Sequence, residues 1–142
     1  MKIFLDTSSL IKLYHKEDGT ENLDNLFSEN SINEVFLSEI AKVEFNSAIW
    51  RKTRTNEITD TEAIELVELF YSDSDSFTFV EVNNELIGNA FDLISKYGKA
   101  GLRSLDSIQL ASMLKVKTEI SYAISADKLL KNLIDLEGIK TV

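Results

Sequence analysis

One aspartate near the start of the chain stands where a carboxylate could take part in chemistry. The short run at residues 2–5 stops at Asp6, and three hydroxyl residues follow before apolar residues recur at helical spacing from Leu10. This pattern predicts a buried strand, a tight turn and a helix, with Asp6 at the carboxyl end of the strand. Open α/β sheets bind ligands at that edge, where the strand order reverses. Asp6 also has a purely structural interpretation as a helix N-cap, which contributes about 1 kcal/mol.

A second acid follows a hydroxyl residue in a similar turn. Residues 120–125 predict the fourth strand, Ser125 and Asp127 come at its end, and a short helix follows at residues 128–135. If the first and fourth strands are neighbours at the reversal of strand order, Asp6 and Asp127 face one cleft. On its own, Asp127 is also explained as an acid in a first helical turn, where it favours the helix dipole by about 0.3–1 kcal/mol.

A third acid lies inside the apolar stripe of a predicted helix. Glu44 has an apolar residue one turn before it and another one turn after it, in a helix predicted from a Ser38 cap to about Lys52. An acid in such a stripe lies at the rim of a packed face or points at something cationic. The structural alternative is an edge residue that pairs with Arg51 or Lys52.

A fourth acid, Asp106, lies in the first turn of a helix predicted at residues 104–114. The helix-dipole explanation given for Asp127 applies to it as well. Its helix leads back down the sheet into the fourth strand, so only a particular fold would bring it to Asp6. If the acids do meet, their carboxylates repel and raise one another's pKa values. Such a cluster is stable chiefly with a hard divalent cation in place.

Four short segments carry these acids in a fixed order. They are LDTSSL at residues 5–10, the lone Glu44 in the second long helix, LRSLDSIQLA at residues 102–111 and SADKLL at residues 125–130. In order and spacing they resemble the PIN-domain family, and within it the VapC-type ribonuclease toxins of bacterial and archaeal toxin–antitoxin systems. The resemblance runs through nearly the whole chain, and the joint signal is specific where each segment alone is weak.

The alternation of strands and helices predicts a parallel sheet covered on both faces. Five strands are predicted, at residues 2–5, 34–37, 77–82, 120–125 and 139–142. The resemblance implies a three-layer α/β/α fold in which these strands take the order 3-2-1-4-5. In that order the reversal falls between the first and fourth strands, where the two acidic turns would meet.

The resemblance further implies an acidic pocket that binds Mg²⁺ or Mn²⁺. Its ligands would be Asp6, Glu44, Asp106 and Asp127. Asp6 and Asp106 would contact the ion directly, and the other two would often act through water. Ser8 and Ser125 would orient the carboxylates or a bound water through their hydroxyl groups.

Four basic residues are candidates for a surface that meets an RNA backbone: Lys12, Arg51, Lys52 and Arg103. Arg51 and Lys52 stand at the end of the Glu44 helix, and Arg103 comes shortly before Asp106. Lysine and arginine side chains bind nucleic acids by neutralising phosphates. Their alternative interpretation is that of ordinary solvated residues near helix ends, since cations are favoured at helix C-termini.

Composition sets the wider limits. We expect the 142 residues to form a single domain, residues 1–142, around one core. The absence of cysteine excludes disulfides and thiolate metal sites, and nothing resembles a signal peptide or a membrane span, so we expect a cytoplasmic protein. A net charge of −9 argues against a general nucleic-acid coating protein. It is compatible with an enzyme that concentrates acids in one cleft.

The combined interpretation is a metal-dependent endoribonuclease that acts as a toxin on RNA. The resemblance implies a homodimer and a small antitoxin whose tail lies across the cleft. A PIN nuclease of RNA maturation and a PIN scaffold that only binds partners are the alternatives within the family. A phosphoacceptor domain of the response-regulator type needs an aspartate after the third strand, where this chain has Val82, Asn83 and Asn84. The single histidine, His15, excludes a metal-free mechanism that uses two histidines.

Overall fold

Four short strands form one parallel sheet at the centre of the computed structural model, which describes all 142 residues. They are β1 (Lys2–Leu5), β2 (Glu34–Ser38), β3 (Thr78–Val80) and β4 (Tyr122–Ile124). The strand order is β3-β2-β1-β4, and every neighbouring pair is parallel. The order therefore reverses between β1 and β4, as predicted, and ligands of open α/β sheets bind at such a point.

Seven α-helices surround the sheet. They are α1 (Thr7–Ile11), α2 (Thr20–Glu29), α3 (Ala41–Arg54), α4 (Asp60–Asp73), α5 (Asn84–Tyr97), α6 (Ser104–Lys115) and α7 (Lys128–Leu136). Short 3₁₀ turns follow α4 at Ser74–Ser76 and α5 at Gly98–Ala100. None of the helices combines the length and the hydropathy that a bilayer span requires.

The sheet separates two apolar cores, because successive side chains of a strand point to opposite faces. Ile3 and Leu5 pack with residues of α1 to α4, including Phe45, whereas Phe4 packs with residues of α5 to α7, including Leu110. All five of these side chains are fully buried. The predicted three layers and parallel sheet are confirmed, and both faces of β1 are covered, as expected of an apolar central strand.

The predicted fifth strand at residues 139–142 is wrong. This segment makes one isolated parallel bridge, between Thr141 and Ala123, and no ladder. The reason lies in its hydrogen bonds: the N–H of Ile139 donates to the carbonyl of Ile134, at the end of α7, and only the carbonyl of Lys140 reaches β4. The segment therefore continues the turn after α7 and leaves the sheet with four strands.

Ser38 ends β2 and does not cap the following helix. Its side chain is fully buried, and its hydroxyl oxygen lies 2.9 Å from that of Ser112 on α6. The residue at the N-cap position of α3 is Ile40, which has no side chain that could cap the helix. The contact with Ser112 joins the end of β2 to α6, the helix that carries Asp106.

Candidate active site

Asp6 lies at the carboxyl end of β1 and is the N-cap of α1. Its Oδ1 accepts hydrogen bonds from the N–H of Ser9 at 2.9 Å and from the hydroxyl of Ser8 at 2.7 Å, and its Oδ2 accepts one from the hydroxyl of Ser125. Its own N–H donates to the carbonyl of Ile124 at 3.1 Å. The carboxylate is therefore a structural cap and is also fixed at the junction of β1 and β4.

Burial raises the pKa of Asp6 above the usual range of an aspartate, while the hydrogen bonds from Ser125, Ser8 and Ser9 oppose that increase. The residue is only 3% exposed, and no lysine or arginine forms an ion pair with it. Its negative charge is thus held by neutral donors alone. A buried charge without an ionic partner is costly in free energy, so this position favours a cation.

Glu44 reaches the same edge of the sheet because α3 begins just after β2 ends. Its Oε1 accepts hydrogen bonds from the hydroxyl of Thr7 at 3.0 Å and from the side-chain amide of Gln109 at 2.7 Å. Burial raises the pKa of Glu44, these two hydrogen bonds oppose the increase, and the charges of Asp106 and Asp6 add to it. Glu44 therefore faces the other acids and does not pair with a basic residue of its own helix.

Asp106 meets the other acids from the opposite face of the sheet. Burial raises its pKa, the charges of Asp127 and Asp6 raise it further, and the charge of Arg103 lowers it. Asp127 is exposed and caps α7, since its Oδ1 accepts the N–H of Leu130 at 2.7 Å. The structure thus brings all four predicted acids to one edge, where their charges act on one another.

The donor set suits a hard cation in its chemistry, because it consists of carboxylate oxygens with hydroxyl groups beside them. No three His, Cys, Asp or Glu side chains of the chain form a ready-made cage for an ion. Mg²⁺ commonly binds through one or two carboxylates and keeps several waters, so the lack of such a cage is compatible with it. The acids fit an ion of this kind whose remaining ligands are water or substrate oxygens.

A cleft of about 600 Å³ opens beside the acids. Glu44, Thr7 and Ser8 line it on the side of the acids, and Arg51 and the half-exposed Leu105 also contribute to its walls. The cleft thus combines the carboxylate of Glu44, an arginine and apolar surface. This mixture suits a ligand that carries both phosphates and flat apolar groups.

The predicted basic residues divide into two pairs. Arg51 is exposed in the cleft, and Arg103 is exposed and close enough to Asp106 to lower its pKa. Lys52, in contrast, is only 8% exposed, and its Nζ lies 2.8 Å from Oε2 of Glu17. Lys12 is also held within the chain: its ammonium group donates to the carbonyl of Asp18 and lies 3.8 Å from the same glutamate. The structure therefore offers the two arginines to a substrate and argues against the two lysines.

A family model described as PIN domain matches residues 3–135. The chain belongs to the PIN-domain family. The order of its four acidic segments and their meeting at one edge of the sheet agree with this assignment. No curated protein matches this PIN domain by sequence.

Several solved structures share this fold, and one of them is described as a toxin. VapC20 of Mycobacterium tuberculosis, described as a sarcin-ricin loop cleaving toxin, gives a TM-score of 0.73 at 18% identity over 99% of this chain and 98% of that one. FitAcB of Neisseria gonorrhoeae gives a TM-score of 0.67 at 16% identity, over 98% of this chain and 95% of that one. VapBC-1 of nontypeable Haemophilus influenzae gives a TM-score of 0.66 at 14% identity, over 100% of this chain and 97% of that one. At these identities the likeness shows the fold.

Loss of the Glu17 carboxylate is expected to destabilise this PIN domain. In Glu17→Ala the buried ammonium group of Lys52 would keep only Glu57, whose Oε1 is 4.0 Å away. An unsatisfied buried donor costs about 1–3 kcal/mol in the free energy of unfolding, and a charged one costs more. Urea unfolding measures the change, and Glu29→Ala, an exposed acid of α2, serves as the control. Equal free energies for the two variants would contradict a structural role for Lys52.

Two residues of the site were missed in the sequence. Thr7 and Gln109 both contact Glu44, and the amide of Gln109 lies 2.9 Å from the hydroxyl of Thr7. The signal for Gln109 was its place three residues after Asp106, on the same helix face and within an apolar run. A polar side chain in such a position either interrupts the apolar face without consequence or contacts another polar group inside the protein.

Proposed function

We propose that this PIN domain is a Mg²⁺- or Mn²⁺-dependent endoribonuclease and the toxin of a type II toxin–antitoxin system. The observation that carries the proposal is the meeting of Asp6, Glu44, Asp106 and Asp127 at the reversal of strand order, with no basic residue ion-paired to any of them. Membership of the PIN family and the fold shared with VapC20 support it.

In this proposal the four acids hold the ion, with Asp6 and Asp106 in direct contact. The bound ion would supply Lewis acidity, which lowers the pKa of a water and stabilises negative charge on the phosphoryl oxygens. Ser8 and Ser125 keep the Asp6 carboxylate oriented through the hydrogen bonds described above. An acid of the set that does not contact the ion directly would accept a proton from the attacking water.

The two exposed arginines would hold the RNA backbone. Arg51 lies in the cleft with Glu44, and Arg103 lies near Asp106, so together they flank the acids. Guanidinium groups bind phosphate oxygens in pairs, which positions a strand without reading its bases. The two arginines and the bound ion would together supply the positive charge that meets RNA, which makes RNA binding compatible with a net charge of −9.

A small antitoxin and a second copy of the chain are the proposed protein partners. Two structural neighbours carry the names VapBC-1 and FitAcB, and a third, from Klebsiella pneumoniae, is described as a toxin-antitoxin complex. In this proposal a segment of the antitoxin lies across the cleft and blocks it. Growth arrest on expression, relieved by the gene immediately upstream, would separate a toxin from a nuclease of RNA maturation.

The direct test is RNA cleavage by the purified chain with and without a divalent ion. We expect cleavage with Mg²⁺ or Mn²⁺, none in EDTA, and recovery when the ion is added back. A metal titration followed by Trp50 fluorescence or calorimetry reports binding separately from cleavage. A chain that binds neither ion and cuts no RNA would overturn the proposal and leave a scaffold that only binds partners.

A further inference from the structure

The side chain of Gln109 is the most enclosed polar group of the site. It is 2% exposed, and its amide nitrogen lies 2.7 Å from Oε1 of Glu44 and 2.9 Å from the hydroxyl oxygen of Thr7. The Thr7 hydroxyl itself donates to the same Oε1 at 3.0 Å. One oxygen of Glu44 therefore receives two donors that also contact each other.

This arrangement leaves the two oxygens of Glu44 with different roles. Oε1 is occupied by Thr7 and Gln109, whereas no group of the chain donates a hydrogen bond to Oε2. Glu44 lines the cleft, so Oε2 is the oxygen available to an ion or a water. A glutamate without such restraints would lose its orientation through three rotatable bonds, and catalysis depends on orientation.

The amide oxygen of Gln109 shows that this residue is not merely filling space. Its Oε1 is buried without any hydrogen-bond partner, a state that costs free energy and is rare for buried polar atoms. Leucine or methionine would fill the same volume without that cost. The contribution specific to glutamine is thus the pair of contacts made by its amide nitrogen.

Gln109 also connects the elements that carry three of the acids. It lies one turn after Asp106 on α6, and it contacts Glu44 on α3 and the residue that follows Asp6. One side chain thereby joins both layers of helices across the carboxyl edge of the sheet. A shift of α6 relative to α3 would break both contacts, so the spacing of the acids depends on this amide.

We propose that Gln109 is a positioning residue, which through the hydrogen bonds of its amide to Glu44 and Thr7 holds Glu44 in the orientation needed for metal binding and RNA cleavage. The inference rests on the proposed function. Gln109 acts through Glu44 and does not touch RNA. Groups that orient metal ligands in this way typically contribute about 10- to 100-fold to metal affinity or activity.

The first test is Gln109→Leu, which keeps the volume and removes both hydrogen bonds. Its Mn²⁺ affinity, measured by calorimetry, is expected to fall about 10-fold or more, and kcat for RNA is expected to fall while KM changes little. The matched control is Ser112→Ala, which removes a buried polar contact to Ser38 one turn later on α6. That control is expected to keep the Mn²⁺ affinity and kcat of the wild type.

The second test asks whether Gln109 acts through Glu44. In a Glu44→Gln background, Gln109→Leu is expected to cause no further loss of Mn²⁺ affinity, since effects that share one group are not additive. Equal losses in both backgrounds would indicate a general structural role and overturn the proposal. If Gln109→Leu does not fold, Thr7→Val tests the same contact network, because it removes the other donor to Glu44. Its expected loss of Mn²⁺ affinity is smaller.

Failure of this inference is distinguishable from failure of the proposed function. An active wild type with a folded Gln109→Leu variant of unchanged affinity and kcat overturns the role of Gln109 alone. A wild type that neither binds Mn²⁺ nor cleaves RNA overturns the function, and the positioning role falls with it.

Discussion

Asparagine in place of Asp106 is expected to reduce RNA cleavage on the order of 100-fold or more and, at the same time, to stabilise the fold. The substitution would remove a ligand of the ion that stabilises the transition-state charge, and loss of such stabilisation typically costs about 10²–10³ in kcat. The side chain of Asp106 makes no hydrogen bond or ion pair within the chain, and burial and the charges of Asp127 and Asp6 act against its charge. The uncharged amide loses only the weaker attraction of Arg103 and removes these larger costs.

This combination of lost activity and increased stability separates a catalytic acid from a structural one. A helix-dipole role for Asp106 would give the opposite stability change, because neutralising an acid in a first helical turn destabilises the helix. RNA cleavage in Mn²⁺ and thermal unfolding in EDTA measure the two effects. Asp24→Asn, an exposed acid on α2, is the control that should change neither.

Asp6→Asn is the companion substitution. It should also abolish cleavage. Its effect on stability should differ from that of Asp106→Asn, because the loss of hydrogen bonds opposes the stability gained by removing a buried charge. With the NH₂ group of asparagine in the place of Oδ2, the hydrogen bond that Ser125 donates there is lost. Wild-type cleavage by both the Asp6 and the Asp106 variants would defeat the assignment of a nuclease site.

The metal-free protein is expected to lose stability as the pH rises above about 4, where the carboxyl groups of an unfolded chain titrate. The pKa values of Asp6, Glu44 and Asp106 are all raised in the folded state, while a carboxyl group in an unfolded chain titrates near pH 4. Between those values the folded state binds more protons than the unfolded state, so the free energy of unfolding falls with increasing pH. The loss in the free energy of unfolding is complete at pH values above the folded-state pKa values and disappears at pH values below the unfolded-state pKa values.

Divalent ions should reverse this trend. They bind the deprotonated carboxylates, so their stabilising effect is expected to be larger at pH 8 than at pH 5. At an ion concentration about 100 times Kd, the gain in the free energy of unfolding is about 2.7 kcal/mol. Urea unfolding at the two pH values, in EDTA and in Mn²⁺, measures it, and Asp106→Asn should show a smaller pH dependence. A stability independent of pH and of Mn²⁺ would contradict an acid cluster that holds an ion.

Several features of the site could be predicted from residue patterns because they depend on chain direction alone. Asp6 ends a buried strand, and Asp127 follows another strand next to it, so both had to lie at one edge. The position of Asp106 was not predicted in this way, because its helix runs back along the sheet towards the start of β4. Only the resemblance to the PIN-domain family placed it beside Asp6.

Other features depended on contacts that no local pattern reveals. Lys52 has the sequence context of a solvated helix end, yet its ammonium group is buried against Glu17, 35 residues earlier. The apolar residues at 139–142 suit a strand, but the hydrogen bonds around Ile139 lead back to α7. Gln109 lies within an apolar run, and its hydrogen-bond partners are residues 65 and 102 positions away in the chain.

The hydrogen bond between Ser125 and Asp6 joins residues 119 positions apart. Closing so long a loop is slow relative to forming local helices, so the acidic site is completed late in folding. The four acids can therefore share one edge of the sheet only once the chain as far as Asp127 has been synthesised and β4 has paired with β1.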